Sequence, residues 1–485
     1  MTVQARKYAP VQFYFGILRC EEAGRLSEGS AASVMFPLKR STDLITSKAY
    51  MRGIAPRCIA AVFCACVVVS AATQSGSPDP AFATVPFEQW IKEGDKDHIR
   101  WSAHVLPVEL SNHQRLFAKV EAVIDGKEFE QRRGHGRLAI LIQFNDSENR
   151  VYQTHKSFDL DQVEEGAGKL NITYTQGAFV TPGDYRISLA VFDTNTGQHS
   201  ALRLPLHVIP LKNDPLPNSW RDLPPVEIPQ STDAPDNLYL PEITSKLYLP
   251  LGNEHPVRIE LLVNASPISG DDYSRPRQVG NRTLASVIPS LKVISQCDIR
   301  NGMLNVAMLD LTTQQVIFRQ DAVHDLDWGR LGPALQQAGP NVIDVHALEN
   351  RKENPQFFVN EVRKRIDDSA ANSGRPAPVV IVLSGPMSFG SGADLHPIEL
   401  ERKKDVKVFY IRFHSIPPRP AMDPFMGGAR RGRRMGPYGR TQWSSEAVDS
   451  LEQTLKPLRP HLFDVTTPED FRKALRDLIN AIAAV

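Results

Sequence analysis

Ser388 is the residue whose neighbours first suggest covalent chemistry. It lies in Gly385-Pro386-Met387-Ser388-Phe389-Gly390, directly after an apolar run that reads as a strand. A serine held on a tight strand-to-helix turn becomes a nucleophile when an acid and a histidine base support it, and Asp423 and His461 follow in that order. The turn's usual pattern is Gly-x-Ser-x-Gly, however, and Pro386 occupies the first glycine position. Among 13 histidines such a triple arises readily by chance. The catalytic set is therefore read as empty, with serine hydrolysis at Ser388 as the rival from another functional class. The histidines show no HxH or HExxH spacing, which leaves zinc without a ligand pattern. A P-loop, a dinucleotide fingerprint and a CxxC pair are missing too, so the sequence implies no cofactor.

A second cluster is electrostatic. Residues 417–440, PPRPAMDPFMGGARRGRRMGPYGR, carry Arg430, Arg431, Arg433 and Arg434 with Asp423 as the single acid. Such a patch can engage an anionic polymer, lipid headgroups or an acidic protein surface. The bland reading is a solvated Gly/Pro/Arg loop between a strand and a helix.

The elements that must position these residues fall into two regimes. From Trp101 to Pro210 the hydropathy alternates with period two. Strands are predicted at Ile99–Leu110, Leu116–Ile124, Arg137–Phe144, Val151–Leu160, Leu170–Gln176, Gly183–Asp193 and Ala201–Val208. Turn chemistry such as Asp125-Gly126 and Thr181-Pro182-Gly183-Asp184 separates them, which argues an antiparallel β-sandwich over residues 85–210. Residues 211–256 form a connector studded with proline, stiff and unable to form helix, although Leu247–Leu251 can add a strand to a neighbour.

Beyond it, Val257–Val263 and Val379–Leu383 are near-continuous apolar runs of the kind buried parallel strands need. Met303–Leu309 and Gln315–Arg319 read as a strand pair, Val406–Phe413 and His461–Val465 as further strands. Helices are expected at Arg282–Cys297, Trp328–Gln337, Pro355–Ile366, Asp394–Lys404 and Pro468–Ala483. Alternation of this sort gives an α/β fold with a doubly wound, mostly parallel sheet over residues 257–485.

The chain of 485 residues carries 56 Lys+Arg against 55 Asp+Glu, which removes any whole-protein argument for nucleic-acid binding. That balance changes if the leader is removed. Met51-Arg52 and Arg57 precede the apolar run Ile59–Ala72, about 14 residues and too short for a span of about 20. It ends in Ser70-Ala71-Ala72. Residues 51–72 thus read as a signal peptide, residues 1–50 as a mis-called extension, and no transmembrane anchor is expected. The remaining body would hold 47 basic and 51 acidic residues and keep one of five cysteines, Cys297, so no internal disulfide is available. Cys297 reads as a buried small hydrophobe.

The segment TPGDYRISLAVFDTNTGQHSALRLPLHV resembles the closing hairpin of immunoglobulin-like or fibronectin-like modules, with Tyr185 facing inward. Residues 257–485 resemble the von Willebrand factor type A domain. In that family an Asp-x-Ser-x-Ser motif, a Gly-Gly-Thr-like turn and a Leu-(Thr/Ser)-Asp-Gly motif hold Mg²⁺ or Mn²⁺ at the carboxyl ends of the strands. Here the first motif falls on Asn264-Ala265-Ser266-Pro267-Ile268, the third on Leu383-Ser384-Gly385-Pro386, and the turn on Ala338-Gly339-Pro340-Asn341. Asn264, Ile268 and Gly385 replace ligands, and Ser266 alone is retained. With no carboxylate left the site is degenerate, since a hard cation needs anionic oxygen. Asp271 and Asp272 follow closely and could substitute, but a solvated acidic turn is their expected role. The resemblance to exported bacterial proteins of this build implies a secreted or periplasmic, non-enzymatic protein. Its unknown protein partner would sit in the envelope or extracellular space, on a face carrying Asn264, Ser266 and Gly385. Arg430, Arg431, Arg433 and Arg434 would be accessory, and nucleic acid is not expected. A metal-dependent adhesin with substituted ligands is the runner-up.

Overall fold

The computed structural model describes residues 79–94, 99–229, 243–266, 284–337, 353–370, 378–389, 397–398, 406–414 and 449–484, and a short strand β1 (Pro10–Phe13). The segment 51–72 expected as a signal peptide, the turn 338–341, Asp271, Asp272 and the basic loop 417–440 all lie outside the described residues.

Two antiparallel sheets face each other in the first half. One joins β2 (Trp101–Val105), β3 (Glu109–Leu110), β4 (Leu116–Asp125), β7 (Asn171–Val180) and β10 (Val226–Glu227), with β1 lying parallel to β7. The other has the order β6 (Val151–Asp159), β5 (Arg137–Asn145), β8 (Gly183–Asp193), β9 (His199–Val208). In β4 every second residue is buried, the period-two pattern turned into an inner and an outer face. Ile124, Leu138, Ile140, Phe144, Ile187 and Leu189 fill the space between the sheets. The strand expected across Ile99–Leu110 is broken into β2 and β3, since Pro107 offers no amide to a ladder.

The outer face of β5, β8 and β9 is covered by α1 (Pro80–Ala83) and α2 (Phe87–Glu93). Phe82, Phe87 and Trp90 lie on Leu141, Ala190 and Ala201. Neither helix was legible from periodicity, because each is too short to show a repeat. The same holds for α3 (Gly126–Gln131), which Asp125 caps through the Lys127 amide at 3.0 Å.

The second half is built on a six-stranded sheet with the order β15 (Gln315–Gln320), β14 (Gly302–Asp310), β12 (Val257–Asn264), β16 (Pro378–Ser384), β17 (Lys407–Phe413), β18 (His461–Val465). All its pairings are parallel except β14 with β15. A separate parallel pair, β11 (Leu249–Leu251) with β13 (Cys297–Ile299), ties the connector to this half. Cys297 thus opens a strand instead of ending a helix, and it is partly, not fully, buried; that burial pushes its thiol up to about 12.

Both faces of the sheet are covered. Ile259, Leu261 and Val263 of β12 face α4 (Leu284–Ile294), α5 (Trp328–Gln337) and α8 (Pro468–Ala483). Leu262 faces the other way, with Val380, Val382 and Tyr410, toward α6 (Asn354–Ala370) and α7 (Ser450–Leu455). All eight residues of β12 are buried, which is why its sequence shows no alternation. Helix α8 carries a full capping box, Thr467 accepting from the Asp470 amide while Asp470 accepts from the Thr467 amide. Its stripe of Phe471, Leu475, Leu478 and Ile482 is buried, worth about 1.5–3 kcal/mol per large side chain. Among the described residues no helix is long and apolar enough to cross a membrane.

Candidate functional site

The sheet order places the chain reversal between β12 and β16, so the crevice at their carboxyl ends is where such a fold gathers ligands. Val263 and Leu383 are in register, which brings Asn264 beside Ser384. The Asn264 side chain does three things. Its Nδ2 donates to Ser384 Oγ at 2.9 Å and lies 3.5 Å from Met387 Sδ, while its Oδ1 accepts from the Ser266 amide at 3.0 Å. Ser266 Oγ in turn accepts from the Leu311 amide at 2.6 Å, tying the loop after β12 to the end of β14. Asn264 and Ser266 are only 8% and 5% exposed, and Ser384 is fully buried.

Gly385 continues the chain of polar contacts. Its carbonyl accepts from Ser384 Oγ at 2.7 Å and lies 3.4 Å from the Tyr410 hydroxyl. That hydroxyl donates to Asp449 Oδ2 at 2.8 Å. Asp449 is also the N-cap of α7, its Oδ1 accepting from the amides of Leu451 and Met387 at 3.1 and 3.2 Å. Burial, reinforced by the Asp449 charge, holds the Tyr410 phenol well above its ordinary range. The phenol is thus a fixed donor.

At the rim, Arg412 gathers three carboxylates. Its Nη1 reaches Glu452 at 2.7 Å and Asp449 at 3.4 Å, and its Nε reaches Asp464 at 2.7 Å. His414 Nε2 lies 2.7 Å from the same Asp464 oxygen. Burial alone would push the Asp464 carboxyl up, but hydrogen bonds from Arg412 and His414 bring it below its ordinary value. Burial likewise opposes the Arg412 charge, and the surrounding carboxylates outweigh it.

The sequence-selected residues Asn264, Ser266 and Gly385 therefore lie in one hydrogen-bonded array. Arg430, Arg431, Arg433 and Arg434 lie outside the described residues. The Ser388 grouping is not assembled in the same way. Ser388 follows the carboxyl end of β16, whereas His461 opens β18 in register with Phe409, which pairs with Ile381 in the middle of β16, and it stacks on the Phe409 ring at 5.2 Å. Asp423 is not among the described residues.

The donor set does not suit the Mg²⁺ or Mn²⁺ that the resemblance implies. Asn264 turns an N–H toward Ser384, Ser266 spends oxygen on a backbone amide, and Gly385 offers a carbonyl already accepting from Ser384. No group of three or more His, Cys, Asp or Glu placed to hold a metal occurs among the described residues. Tyr410, Arg412 and Asp449 were not singled out from the sequence. Asp449 had a signal: Asp449-Ser450-Leu451-Glu452 before an apolar turn is an N-cap pattern.

No family model matches this sequence, and neither does any curated protein. A solved structure described as the ApaA protein from Bordetella pertussis matches 24% of this chain and 97% of its own length, at 16% identity. Its TM-score of 0.15 carries no argument about fold or function.

Proposed function

We propose that this is an exported, non-enzymatic binding protein. Its second half is a von Willebrand factor type A-like scaffold that engages a protein partner without a metal ion, and an immunoglobulin-like sandwich precedes it. The observation that carries the reading is the Asn264–Ser384 hydrogen bond. It joins the two loops that a cation would otherwise bridge, with a neutral amide in the place of a carboxylate. The strand order, with its antiparallel edge strand β15, supports the scaffold assignment. The apolar run ending in Ser70-Ala71-Ala72 supports export.

The test is photo-cross-linking in intact cells with a photoreactive phenylalanine in place of Pro386, a half-buried residue at the rim of the crevice. The expected result is a cross-link to an envelope or extracellular protein that survives EDTA, with no rise in melting temperature on adding millimolar Mg²⁺ or Mn²⁺. A cross-link lost in EDTA, or a metal-induced rise, would favour the metal-dependent adhesin. Labelling of Ser388 by a fluorophosphonate would replace the proposal with the hydrolase.

A further inference from the structure

The two sheet systems meet at a polar junction that no sequence motif announced. On one side is the Ser111–Leu116 segment at the start of β4. On the other are α4, the start of α8 and the connector. Gln114 is fully buried in a left-handed conformation, φ 58°, and its Nε2 donates to the Pro468 carbonyl at 2.9 Å. Its own carbonyl accepts from Trp220 Nε1 at 2.7 Å. Asn112 Nδ2 reaches Ala285 O and Ser286 Oγ on α4 at 3.2 and 3.3 Å. Arg472, 1% exposed, is held by both oxygens of Asp214 at 2.6 and 2.8 Å and packs over the Trp220 ring.

Between Asn112 and Gln114 sits His113, partly buried, its ring edge-on to Phe179 of β7 at 5.6 Å. The Arg115 guanidinium lies 4.9 Å from the same phenylalanine ring. Across the junction the charged group acting on His113 is Lys292 of α4. Carboxylate compensation is already committed: Glu227 of β10 pairs with Arg115 and also accepts from the amides of Thr244 and Ser245.

We propose that His113 is an acid-responsive latch: its protonation adds a third cation to the field of Arg115 and Lys292 and releases the Ser111–Leu116 segment from α4. Burial first, then Lys292 and Arg115, hold the ring neutral down to about 3. An imidazole released to solvent returns to its ordinary value near 6.5. The sign follows from linkage. The closed junction binds fewer protons than the open one between those values, so closure is complete above pH 6.5 and is lost progressively below it. A protein equilibrated with an external medium would experience that range.

The experiment is hydrogen–deuterium exchange on the full chain at pH 7.5 and 5.5, corrected for the intrinsic pH dependence of exchange. Opening of segments 111–116 and 284–294 is expected to rise about tenfold at the lower pH. Strand β16 serves as internal reference and should not change. In His113→Gln the rise should vanish while the two segments stay protected. Far-UV circular dichroism at pH 7.5 checks that the variant folds. Should it not, His113→Phe keeps an aromatic edge against Phe179 and takes its place. An equal rise in the variant, no rise in the parent, or a rise shared by β16 would overturn the latch.

Discussion

Asn264 shows how one atom's change of character redirects a site. An aspartate there would offer a carboxylate to a cation, whereas the amide offers an N–H to Ser384 and keeps both loops together without charge. Asn264→Asp is therefore expected to destabilise the protein by about 1–3 kcal/mol, because the buried donor is lost and a charge is placed in its stead. Denaturant unfolding with and without millimolar Mg²⁺ measures it. The loss should be the same in both, since the variant still lacks a carboxylate at Gly385 and the Ser266 oxygen stays engaged with Leu311. Recovery of stability in Mg²⁺ would mean that one substitution is enough to restore a cation site. Tyr410 and Asp449 extend the same logic: they satisfy the Gly385 end of the array from inside the fold, so its oxygens are largely spent before any ligand arrives.

At the level of elements, the close approach of β12 and β14 rests on Gly302. Its φ is 153°, and a methyl group added there would stand 2.1 Å from the Val257 carbonyl oxygen. Gly302→Ala should cost roughly 1–3 kcal/mol for the strained backbone alone, read as a lower midpoint in chemical denaturation. Because β12 also carries Asn264, amide exchange at residues 264–266 should rise in that variant. Such strands were legible in the sequence where burial writes a clear pattern. Alternation marked β4, the unbroken apolar run marked β12, and the Thr467-Pro468 start marked α8 to the residue. Elements held by tertiary contact alone were not. Helices α1 and α2 exist because Phe82, Phe87 and Trp90 cover an apolar sheet face, a fact about distant residues that no local window contains. The helix expected as far as Cys297 is shorter, although Pro289 lies inside it. The break comes at Ile294, and the chain then extends to pair with Leu249–Leu251.

Across the whole molecule, the proline-rich connector is less a spacer than a wedge. The described residues from Asp79 to Ala484 belong to one compact unit, and the connector supplies Asp214, Ser219 and Trp220, which enclose Arg472 of α8. Composition announces stiffness in such a segment, but it cannot announce docking, since the partners of Asp214 and Gln114 lie hundreds of positions away. A charge pair this deeply buried is weak evidence for added stability, yet removing one member leaves the other stranded. Arg472→Met should therefore cost about 3–5 kcal/mol, while Asp214→Asn combined with Arg472→Met should cost less than that, the signature of a coupled pair. Asp214 adds a pH dependence of its own in the acid range. Burial would push its carboxyl up, but the hydrogen bonds from Arg472 and the Leu216 amide, with the Arg472 charge, bring it below its ordinary value. Its contribution is present above the unfolded-state value, near 3.9, and disappears as pH falls through the folded value. Scanning calorimetry reads the consequence for cooperativity. At pH 7.5 the parent chain should melt its two sheet systems in a single transition, because neither can separate without exposing Arg472. In Arg472→Met the transition should split in two, the sandwich and the six-stranded sheet each unfolding at its own temperature. Two transitions already present in the parent would mean that the halves are merely adjacent, and that the buried pair orders the connector without coupling them.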